Sequence, residues 1–73
     1  MKTFNYYVES IRRLSDEISD LSGARYIAIY EGGAWSFMET TDGAARLGVT
    51  ERLPTLEMHA YLIGVKNGLN FKK

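Results

Sequence analysis

Apolar side chains at Phe4, Tyr7, Ile11, Leu14, Ile18 and Leu21 recur at alternating steps of three and four residues. That spacing draws one stripe along an α-helix and predicts a helix from about Thr3 to Ser22. On its polar side Glu9 precedes Arg13 by four positions, and Arg12 precedes Asp16 by four. Opposite charges so placed support a helix. Ser22-Gly23 is the expected stop, because glycine accepts the left-handed backbone that closes helices. The stripe lasts under three heptads, so a core-facing helix is expected and not a coiled coil.

From Ala24 to Thr40 the pattern changes to the short, β-branched and aromatic runs of strands. Arg25 to Tyr30 and Ala34 to Met38 flank Gly32-Gly33, a pair suited to a two-residue hairpin turn. With that turn, Tyr30 faces Trp35, Ala28 faces Phe37 and Tyr26 faces Glu39 on one side of the ribbon. Ile27, Ile29, Ser36 and Met38 share the other side. An antiparallel ribbon with one wet face alternates polar with apolar; here both faces are apolar.

Thr41 to Gly48 is expected to hold one or two helical turns, capped by Thr41 or Asp42. A last helix should start near Pro54 or Thr55 and run to about Asn67, with Asn67-Gly68 as its end and residues from about 69 to 73 as a loose tail. Leu56, Met58, Tyr61, Leu62, Ile63 and Val65 make this helix apolar on most sides, so it is expected to be buried. Ala60, Gly64 and Gly68 form a stripe without bulk, expected to receive Trp35, Phe37 or the first helix, with close helix–helix contact across a dimer as the alternative. The fold expected is a single α+β domain over residues 1–73: helix, β-hairpin, short helix, helix, with the helices packed on a two-stranded antiparallel sheet.

Composition narrows what such a domain does. Seventy-three residues bury only about 60% of the surface that the unfolded chain exposes, so a domain of this length gains from further support. With no cysteine and one histidine, His59, neither a disulfide nor a zinc site is expected. Oligomerisation is the support that remains. Nine basic and nine acidic residues cancel, so nucleic acid is not the expected partner. No apolar run reaches the roughly 20 residues of a membrane span, and no signal pattern stands at the N-terminus. A cytoplasmic, membrane-free protein is expected.

Catalytic patterns are missing. Gly32-Gly33 lacks the flanking residues of a phosphate loop, Ser36 has no base placed near it, and His59 reads as a structural or surface residue. No catalytic residue, cofactor or metal is expected. One short resemblance exists. Ala44-Ala-Arg-Leu-Gly-Val-Thr50, with Glu51-Arg52, resembles the first helix and turn of the helix-turn-helix in excisionase-like and MerR-like regulators. It implies, as the alternative reading, a DNA-binding transcriptional regulator with a degenerate helix-turn-helix at residues 43–53. Pro54 falls inside the second helix of that motif, where it breaks the helix, and Gly43 replaces an apolar residue.

The expected function is protein–protein interaction, either with a second copy of the chain or with a host protein that a phage-type accessory protein of this size inhibits. Tyr26, Tyr30, Trp35 and Phe37 are the candidate partner-binding residues, being the aromatic types enriched in interface centres. Asp16, Glu17 and Asp20 form a second candidate, an acidic patch facing a basic site on a partner.

Overall fold

The computed structural model describes residues 3–41 and 45–71. Its elements in chain order are α1 (Phe4–Ser22), β1 (Arg25–Glu31), β2 (Ala34–Thr41), β3 (Ala45–Gly48) and α2 (Thr55–Phe71). α1 begins where expected, because the Thr3 hydroxyl accepts the Tyr6 N–H and supplies an N-cap. It ends at Gly23, which has φ 78° and bonds its N–H to the Ser19 carbonyl. β1 and β2 pair antiparallel with Tyr30 opposite Trp35 and Ala28 opposite Phe37. The turn between them has φ 60° at Gly32 and 82° at Gly33, a left-handed pair whose twist suits adjoining strands.

The segment after β2 departs from expectation. Instead of helical turns, residues 45–48 form a third strand, running from Thr41 opposite Ala45 to Met38 opposite Gly48; residues 42–44 lie outside the described residues. Further along β2, Trp35 and Leu53 exchange both backbone hydrogen bonds, at 2.8 and 2.9 Å, and Val49 donates to the Phe37 carbonyl at 2.9 Å. The sheet order is β1-β2-β3. The physical reason is the demand of β2 itself. Its outer N–H and C=O groups flank buried aromatics and need partners, and that demand outweighs weak local helix preference. The first helix of the helix-turn-helix resemblance is therefore a strand over 45–48.

α2 is longer than expected. It passes through Asn67-Gly68 and continues to Phe71, and Leu69 packs against the core, so residues 69–71 are helix and not tail. Contact with the core outweighs what glycine costs a helix.

Both helices lie on one face of the sheet. Ile11, Leu14 and Ile18 of α1, Trp35 and Phe37 of β2, and Met58 and Leu62 of α2 form the buried core. Burying side chains of this kind contributes roughly 1.5–3 kcal/mol each. The Trp35 indole N–H donates to the Thr55 hydroxyl at 3.0 Å, satisfying the one polar group that this large ring buries. The molecule is a small α+β domain of two layers, only 17 Å thick along its shortest axis.

Candidate interaction surface

Side chains alternate across a strand, so the helix layer determines which face of the hairpin is covered. Trp35 and Phe37 point into the helix layer, at 0% and 1% exposure. Tyr26 stacks on Phe37 with ring centroids 5.2 Å apart. Tyr30 leans on Trp35 at 5.1 Å and on Phe4 at 5.4 Å and stays 43% exposed. The aromatic face is thus the covered face. Trp35 and Phe37, expected to meet a partner, are core residues and present no surface to one. Tyr26 and Tyr30 lie at its margin on β1, the outer strand of the hairpin.

The opposite face carries Ile27, Ile29, Ser36 and Met38 in the register Ile27–Met38 and Ile29–Ser36. None of these belongs to the core or to the half-buried apolar residues packed against it. No described helix lies over them. Arg25 and Glu31 end the β1 row of this face, both exposed.

β1 is also an edge. Because Trp35 and Phe37 turn their backbone groups away from β1, toward Leu53 and Val49, their partners Tyr30 and Ala28 turn theirs away from β2. Tyr26 follows the same alternation and finds a partner in α1. Its N–H donates to the Ser19 hydroxyl at 2.8 Å. The single Ser19 hydrogen goes to the carbonyl of Ser15, at 2.9 Å, or of Tyr26, at 3.3 Å. The outward groups of Ala28 and Tyr30 have no neighbouring strand among the described residues.

Between α1 and this edge runs an open groove. A cavity of about 620 Å³ is lined by Asp16, Ser19, Asp20, Arg25 and Tyr26 among others. A smaller one of about 230 Å³ continues along Arg12, Ser15, Asp16, Ile27 and Ala28. The structure therefore brings Asp16, Asp20 and Tyr26 together, two strands of expectation on one groove. Glu17 lies apart: it pairs with Lys66 of α2 at 2.6 Å and clips the two helices. Such a half-exposed pair contributes little to stability, about 1 kcal/mol at most.

Two further groups were not foreseen. Ser10 and His59 share a hydrogen bond of 2.9 Å between the Ser10 Oγ and His59 Nε2, and His59 packs edge-on against Tyr7, 5.1 Å between centroids. A serine bonded to an imidazole is the start of a nucleophile–base pair. Here Ser10 is 5% exposed within the core-facing side of α1, so the bond joins the two helices and offers no nucleophile to solvent. The signal was a serine set beside Ile11 on the apolar side of the helix. Ser19 was equally silent; only its capping of Tyr26 gives it a role.

α2 also differs from expectation on its outer side. Leu56 is 62% and Ile63 38% exposed, and Ala60, Gly64 and Gly68 face outward with them. A Cβ added at Gly64 or Gly68 would meet nothing within 4 Å, so the small stripe receives no ring and no helix of this chain.

Among the described residues no group of three potential metal ligands is present, and no helix is long and apolar enough to cross a membrane. No family model, curated protein or solved structure matches the chain.

Proposed function

We propose that this domain is a protein-binding module whose working surface is the open face of its sheet together with the adjoining β1 edge. A second copy of the chain is the first candidate partner. The observation that carries this reading is the half-buried apolar row Ile27, Ile29 and Met38, which lies opposite the core on a sheet whose described helices pack on the other face. Ile27, Ile29 and Met38 are half-buried by their neighbours in the sheet, and an apolar row that a chain's own core leaves partly open, rimmed by polar groups, is the kind of surface a partner covers. Arg25 and Glu31 supply that rim, and unpaired strand edges bind extended chains through their backbone. No side-chain arrangement on this surface offers chemistry, and binding is what it supports.

Ile29→Asp separates binding from folding, since Ile29 takes no part in the core. The variant is expected to keep the thermal unfolding and circular dichroism of the wild type while losing self-association by light scattering, or losing whatever protein the wild type captures from a lysate. Equal association by wild type and variant contradicts the reading, as does an unfolded variant.

A further inference from the structure

The β1 strand reads Arg25-Tyr26-Ile27-Ala28-Ile29-Tyr30-Glu31. It is the same in both directions about Ala28, except at its ends, where the charges are opposite. We propose that two copies of this chain pair through β1, antiparallel, about a two-fold axis at Ala28, joining the two three-stranded sheets at that central point. This inference rests on the reading of the sheet edge and open face as a binding surface, and names its occupant.

A two-fold antiparallel contact requires a surface complementary to itself. With Ala28 on the axis, Ile27 stands opposite Ile29 of the second copy, Tyr26 opposite Tyr30, and Arg25 opposite Glu31. Both charged positions are exposed and lie on the open face with Ile27 and Ile29, so the apolar row is extended and closed at each end by an Arg–Glu pair. Opposite charges directly across strands stabilise a pair, and like charges destabilise it. The backbone agrees with this centre. Ala28 turns its N–H and C=O outward, so two Ala28 residues exchange both hydrogen bonds across the axis. Ser19 already serves Tyr26, which confines the new backbone bonds to the centre of the strand.

The helix layer carries the same symmetry. Arg12 and Asp16 of α1 line the groove beside Ala28. The axis sets the two α1 helices side by side and antiparallel, which turns Arg12 of one copy toward Asp16 of the other, and the reverse. Two elements of unrelated sequence thus place a positive and a negative charge symmetrically about one point. A peptide of arbitrary sequence at this edge gives no reason for either arrangement.

The test is a set of charge reversals followed by light scattering and sedimentation from micromolar to millimolar concentration, with circular dichroism to confirm folding. Arg25→Glu and Glu31→Arg each turn two attractive pairs of the dimer into two repulsive ones, and each is expected to weaken dimerisation about tenfold or more. The double variant, Arg25→Glu with Glu31→Arg, restores opposite charges and is expected to recover wild-type dimerisation. Mixing the two single variants is expected to give a heterodimer tighter than either homodimer. A wild type that stays monomeric throughout overturns the inference. A dimer unmoved by the reversals but dissociated by Ile29→Asp overturns the β1 pairing and leaves the sheet-face reading standing. A dimer unmoved by any of these overturns both.

Discussion

Ser19 joins α1 to the edge of the sheet, and its hydroxyl takes the backbone position that another strand would otherwise use at Tyr26. It does so while staying within hydrogen-bond reach of the Ser15 carbonyl one turn back. Ser19→Ala removes an acceptor from a half-buried N–H and is expected to cost about 1–3 kcal/mol, read by urea denaturation. None of this was legible in the sequence, where Ser19 is one of five serines with no distinguishing neighbour. The hairpin register was legible, because two glycines fix the turn and period-two alternation fixes every pair that follows. The identity of the covered face was not. Both faces are apolar, so only the position of the helices decides that Trp35 and Phe37 are core while Ile27 and Ile29 stay half-buried outside it.

Among the elements, α1 was readable end to end, since its stripe, cap and stop agree. α2 and β3 were not, for opposite reasons. β3 exists because β2 needs a partner on its outer side, a demand that appears only once β2 is in place. α2 continues past Gly68 because Leu69 packs on the core, although glycine weakens a helix locally. Gly64 is exposed, with open space where a Cβ would stand. Gly64→Ala is therefore expected to raise stability by about 0.5–1 kcal/mol without changing self-association. Chemical denaturation and solution mass of the one variant check both halves. Loss of stability would show that α2 packs more closely there than the structure indicates.

At the scale of the whole molecule, a sheet whose described helices lie on one side leaves an apolar face and a strand edge for a partner to cover. The sequence hinted at this shortage of cover without locating it, because the aromatic hairpin face looked like the binding face and is the core. In the proposed dimer the self-complementary β1 strand links this edge to a second copy of the chain. Amide hydrogen exchange at Ala28, followed by NMR in dilute and concentrated solution, tests that link most directly, with the inward-facing Ile29 amide as reference. If β1 pairs as proposed, Ala28 is expected to exchange fast when dilute, to become protected as concentration rises, and to stay unprotected in Arg25→Glu. An Ala28 amide that remains unprotected at concentrations where the wild type is dimeric, or a wild type that never dimerises, would contradict it.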